Sequence, residues 1–168
     1  GQFAGAVDGM RQACTALAYP VISGNVSLYN ETGDTAVQPT PTVGGVGLLP
    51  ELDAMSTAAF QQEGDSIVLL GATEGHLGAS LYLRELCGRE EGAPPPVDLD
   101  AERRAGDLVR GLIRDGQVSA CHDLADGGLA VPVAEMALAG GVGAEIAQPD
   151  GAKGPIHAWL YGEDQGRY

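Results

Sequence analysis

Aromatic side chains are scarce in this sequence, at 5%, although hydrophobic residues make up 44%. Any core must therefore be built from aliphatic side chains. Basic residues are scarce as well: 9 Lys and Arg stand against 23 Asp and Glu, a net charge of −14. No basic stripe exists to neutralise phosphates along a duplex, which argues against a nucleic-acid partner. The same acidity argues against binding to an anionic membrane. Small phosphorylated ligands stay open, because a few amides and a metal ion can bind them locally.

Cysteine is equally sparse. Cys14, Cys87 and Cys121 are odd in number and widely spaced, and His76, His122 and His157 complete no zinc pattern. All three thiols are expected to be structural. Long apolar runs are lacking too, and nothing reads as a signal peptide or a membrane span, so a cytoplasmic protein is expected. What the chain does have is glycine and proline, 26 and 10 residues, which predict many turns and close backbone approaches.

Phe3, Val7, Met10, Cys14 and Leu17 recur at spacings of four and three, the face of an amphipathic helix. Strands are expected at 20–23 and 42–49, with a hairpin between 26–29 and 35–38. The polar connector at 51–63 places a domain boundary between residues 58 and 59. The second unit, from 59 to 168, opens with a strand at 66–70, a glycine turn and a helix to Leu86. Asp98 can cap a further helix that Gly116 stops. A strand at 117–121, a helix from Leu129 to Leu138 and a strand at 157–161 follow. The fold class expected is α+β, with helices layered against a mixed sheet. The uncapped start at Phe3 and the strand beginning at Arg167-Tyr168 suggest a piece of a longer chain.

Two segments could carry chemistry. In Ser23-Gly24-Asn25-Val26-Ser27, Gly24 admits a ligand to the main chain, Asn25 offers a neutral oxygen and Ser27 a hydroxyl. Those groups suit a magnesium–nucleotide site. From the residues alone, a plain change of chain direction is the favoured reading. Asp123-Leu124-Ala125-Asp126-Gly127-Gly128 leads into a helix, where amides attract phosphate and paired aspartates can hold magnesium. Asp is also a common cap and Gly a common turn residue, so both readings stand. Gly75-His76-Leu77-Gly78 is a similar turn with a structural role expected. Neither His76 nor His122 has a triad around it.

The run from Ser23 to Thr32 resembles the small-type phosphoribosylformylglycinamidine synthase family, and so does Pro39 to Gly47. The likeness continues through Gly75 to Tyr82, His122-Asp123 with Asp126 to Leu129, and Gly162 to Arg167, covering nearly the whole chain in order. The resemblance implies an aminoimidazole ribonucleotide synthetase-like fold. Residues 1–58 would end a barrel-forming A-type domain, and residues 59–168 would be most of a B-type α/β layer. It implies a ligase that uses ATP and Mg2+ to join ammonia to formylglycinamide ribonucleotide through a phosphorylated imidate. By position, Gly24 would contact ATP, Asn25 would ligate magnesium and Ser27 would contact substrate. No catalytic residue would lie in this stretch. Ala125 departs from the serine of the family's pattern, which leaves that loop outside the site. The partners implied are a glutaminase subunit and a small bridging subunit. The alternative is a structural half that keeps an auxiliary nucleotide permanently bound.

Overall fold

The computed structural model describes residues 1–168 as two compact units, Gly1–Leu48 and Leu49–Tyr168. In the first, helix α1 (Gln2–Ala16) forms where the apolar spacing predicts it. Its polar side is tied locally: Asp8 accepts from Arg11 Nη2 at 2.7 Å and from Gln12 Nε2 at 2.6 Å. These are neighbours three and four residues apart on one helix face. The Arg11 hydrogen bond, helped by Gln12, holds the Asp8 carboxyl below its ordinary value. The apolar side buries no residue, and Phe3 is 62% exposed.

The strands expected at 20–23 and 42–49 do not form. A strand needs a ladder to join, and Gly44, Gly45 and Gly47 leave the second run few side chains to pack. A hairpin does form, but displaced: no strand forms at 26–29, and the first strand falls at 31–32, among the residues expected to turn. Strands β1 (Glu31–Thr32) and β2 (Thr35–Ala36) pair antiparallel, Glu31 opposite Ala36 and Thr32 opposite Thr35. Gly33 and Asp34 make a two-residue loop, so the tight turn takes the pairing that longer flanking strands were expected to make.

The regular structure of the second unit is helical. Helix α2 (Leu99–Arg114) starts at Asp98, whose Oδ1 accepts the Ala101 amide at 2.9 Å, with Asp100 and Glu102 in the first turn. Of its apolar residues only Val109 is buried, and Leu108 is 52% exposed. Helices α3 (Ala130–Gly140) and α4 (Ile156–Tyr161) pack on each other. Leu124, Leu129, Val133 and Trp159 form the buried core, with Phe60, Leu69 and Ile146 against it.

Helix α4 corrects the strand expected at 157–161. Five residues without alternation give period-two reading no purchase, and packing on α3 decides instead. The Pro155 carbonyl accepts from Ala158 and Trp159 and opens the helix. The mixed sheet is likewise reduced to single pairings. Leu70 and Tyr168 exchange both backbone hydrogen bonds, at 2.8 and 3.1 Å, and Leu124 N–H donates to the Arg167 carbonyl at 3.0 Å. Arg167-Tyr168 thus lies between two neighbours, as a strand would.

Gly128 and Gly116 separate backbone conformation from packing. Both are left-handed, at φ 67° and 65°. A Cβ on Gly128 would sit 2.5 Å from the Gly162 oxygen and 2.7 Å from the Tyr161 carbonyl carbon, whereas one on Gly116 meets open space. Gly116→Ala is expected to cost about 1 kcal/mol from its left-handed backbone alone. Gly128→Ala should cost about 3 kcal/mol or more, since a clash with main chain adds to the same strain. Denaturant midpoints of the two variants check the difference, and equal midpoints would contradict the packing described.

Candidate functional site

Four charged or polar side chains are buried in the second unit: Ser80, Glu163, Asp164 and Arg167, at 2%, 8%, 7% and 1% exposure. Three of them come from the turn after α4. A carboxylate buried without partners is costly, so its hydrogen bonds decide whether the arrangement can exist. Asp164 answers this with three successive amides. Its Oδ2 accepts from Glu74 N–H at 3.1 Å and Gly75 N–H at 2.9 Å, and its Oδ1 from His76 N–H at 3.2 Å. Consecutive amides that converge in this way form an anion-binding nest. Glu163 does the same across two turns: its Oε1 accepts from Leu81 N–H at 2.8 Å and Gly127 N–H at 2.9 Å.

Arg167 closes the cluster from beneath. Its Nη2 donates to the Gly162 carbonyl at 2.5 Å and its Nε to the Asp164 carbonyl at 3.0 Å. Its Nη1 donates to Thr73 Oγ1 at 3.4 Å and stands 4.0 Å from Asp164 Oδ2. Burial pulls the guanidinium below its ordinary value, and the Asp164 charge opposes that shift. The backbone is drawn in as tightly: a Cβ on Gly162 would fall 2.7 Å from Gly75 Cα.

Both glycine turns that raised a phosphate reading are therefore filled by the chain's own carboxylates. In the turn at 123–128, Gly127 N–H goes to Glu163, Gly128 N–H to the Ala125 carbonyl at 3.2 Å, and Leu129 N–H to the Leu160 carbonyl at 2.8 Å. The turn at 75–78 has the structural role expected of it. His76 Nε2 lies 2.9 Å from the Ala93 carbonyl, and His122 lies between the Asp123 carbonyl and Glu135, at 2.7 and 3.3 Å. Burial, then the Asp123 charge, raises the Cys121 thiol above its ordinary value of 9.0. A thiol held protonated is a poor nucleophile.

Gly24, Asn25 and Ser27 lie elsewhere, on an exposed irregular segment of the first unit. The Ser27 carbonyl accepts from Asn30 Nδ2 at 3.4 Å, and a Cβ on Gly24 would meet open space. No three His, Cys, Asp or Glu side chains gather as a metal site. Asn25 supplies one neutral oxygen, short of the octahedral set that magnesium demands, so these residues do not build a magnesium site by themselves. The Glu163–Asp164–Arg167 cluster was missed as a site in the sequence reading. Two adjacent acids and an arginine between glycines, directly after an apolar run, were the signal available.

The sequence profile of the AIR synthase related protein, C-terminal domain, matches residues 62–168. The chain belongs to the AIR synthase related family. Its buried acid–arginine cluster and both glycine turns lie within the matched domain. Among curated relatives, the phosphoribosylformylglycinamidine synthase subunit PurL of Rhodopseudomonas palustris strain BisB5 is 59% identical over the whole chain, which spans 23% of that protein. The same-named subunit of Nitrobacter hamburgensis is 58% identical over the whole chain and 22% of its own length. That of Methylocella silvestris is 57% identical, over the whole chain and 23% of its own. The chain thus spans about a quarter of the length of the relatives it matches.

In this AIR synthase related domain, Asp164→Ala strands three amides and the Arg167 charge at once. It is expected to cost about 3 kcal/mol, with Asp164→Asn costing less because one acceptor remains. Urea midpoints check the order. The Cys121 shift has a sign as well. A thiol whose folded value is raised contributes stability below its unfolded value, and loses it as pH rises through the folded one. Alkylation should therefore reach exposed Cys87 well before Cys121 at pH near 8, with stability falling above the ordinary thiol range. Equal alkylation rates would contradict the burial.

Proposed function

We propose that this chain is part of an ATP-dependent carbon–nitrogen ligase of purine synthesis. The ligase converts formylglycinamide ribonucleotide and glutamine-derived ammonia into formylglycinamidine ribonucleotide. The observation that carries the reading is 59% identity across the whole chain to a phosphoribosylformylglycinamidine synthase subunit. ATP activates the amide oxygen as a phosphorylated imidate, and ammonia displaces phosphate to leave the amidine. Residues 1–58 form the end of an A-type domain in this reading, and residues 59–168 most of a B-type layer.

Gly24 lets the nucleotide approach the main chain, Asn25 gives magnesium one oxygen, and Ser27 donates a hydrogen bond to substrate. The remaining magnesium ligands and the catalytic groups come from outside this chain. A glutaminase subunit delivers ammonia, with a small bridging subunit completing a cytoplasmic complex. The exposure of Gly24 to Ser27 supports a surface completed by other parts of the longer protein. So does the exposure of flanking Val21, Ile22 and Val46, at 75%, 89% and 90%. The chain alone should therefore self-associate and lack synthetase activity.

Two substitutions in the full-length protein test the assignment. Asn25→Ala is expected to raise the magnesium requirement and lower kcat, because an oxygen donor to a hard cation is lost. Ser27→Ala should weaken substrate binding by about 0.5–1.5 kcal/mol, the worth of one neutral hydrogen bond, and appear mainly in KM. Steady-state kinetics with ammonium as nitrogen donor and varied magnesium read both. Unchanged kinetics in the two variants would sink the assignment.

A further inference from the structure

Leu81 and Gly127 belong to turns far apart in sequence, yet their amides meet at a single oxygen, Glu163 Oε1, at 2.8 and 2.9 Å. Leu81 leads into the wide π-type turn Tyr82–Leu86, and Gly127 precedes α3. The carboxylate that joins them is 8% exposed and is balanced by amide hydrogens. Its neighbour, Asp164, is engaged separately with the amides of residues 74–76. The two adjacent acids thus act on different parts of the unit. Asp164 shapes one turn, whereas Glu163 spans two.

We propose that Glu163 is a positioning residue: the built-in occupant of a two-amide cradle, and the joint through which the 79–81 turn and the 125–128 turn move as one. Without its charge, the buried Gly127 amide and the part-buried Leu81 amide would each lack a partner. The two turns would then loosen together, because one acceptor serves both. While Glu163 is in place, no phosphate can use the Gly127 amide. Of the motifs recognisable in sequence, the Asp123–Gly128 turn is accordingly assigned to alignment rather than to nucleotide binding.

Chemical rescue in the full-length protein tests this. Glu163→Ala removes a methylene and a carboxylate, a volume that free acetate refills. The variant should melt below the wild type. Acetate should raise its melting temperature saturably, whereas sodium chloride at matched ionic strength should not, and acetate should leave the wild type unmoved. Equal shifts in both proteins, or none in the variant, would overturn the proposal. Should Glu163→Ala fail to fold, hydrogen exchange on Glu163→Gln decides. The Leu81 and Gly127 amides should both exchange about tenfold faster or more, as expected for loss of a charge-assisted hydrogen bond. Acceleration of one amide alone, or of neither, would show that the carboxylate does not couple the turns.

Discussion

Two consecutive carboxylates, buried and yet hydrogen-bonded to backbone amides, govern the second unit. Burying either one alone would cost several kcal/mol, and only a prearranged set of amides offsets that cost. The chain supplies those amides from turns, not from helix or sheet ladders, because turn amides are free to converge. Asp164 takes three from residues 74–76, and Glu163 takes one from each of two turns. Arg167 compensates the charge and holds the Gly162 and Asp164 carbonyls beneath it. The turns at 73–76, 79–81 and 125–128 are all fixed to this point.

The glycines follow from the same constraint. Loops that wrap a buried carboxylate must approach one another at backbone distance, and Gly128 and Gly162 sit where an added Cβ would collide with main chain. The apolar core is small by comparison, four buried residues including Trp159, with α3 and α4 as its walls. The polar cluster and this core share one short stretch, since Trp159 faces the core and Glu163 and Asp164 follow directly after α4. Dispersion and charge-assisted hydrogen bonding thus order the same turn from opposite sides.

The first unit contrasts with this. It has a regular helix and a minimal hairpin but no buried residue in either. The proposed ligand groups at Gly24, Asn25 and Ser27 sit on that open segment. Nothing there prearranges a metal or a nucleotide, in contrast to the filled nests of the second unit. Glycine turns of similar appearance in sequence therefore differ in kind. One is exposed and unfilled, whereas the others are already occupied by the protein itself.

Local chemistry alone determined a good part of this protein. The apolar spacing in α1, the Asp98 cap of α2, the hairpin near Gly33 and the structural character of the Gly75–Gly78 turn were all legible. Each depends on contacts within a few residues, which the sequence displays directly. The motif resemblance likewise pointed to the family that the profile match established. Tertiary structure alone decided that residues 157–161 wind into α4, because an unalternating apolar run has no preferred period until a neighbour packs on it. It alone decided that the strand expected at 66–70 shrinks to one pairing at Leu70 and that the strand expected at 117–121 does not form. And it alone decided what fills the turn at 123–128, because Glu163 lies 36 residues from Gly127 and 82 from Leu81. A hydrogen bond over such separations leaves no periodic trace in sequence; it exists only once the chain has folded back on itself.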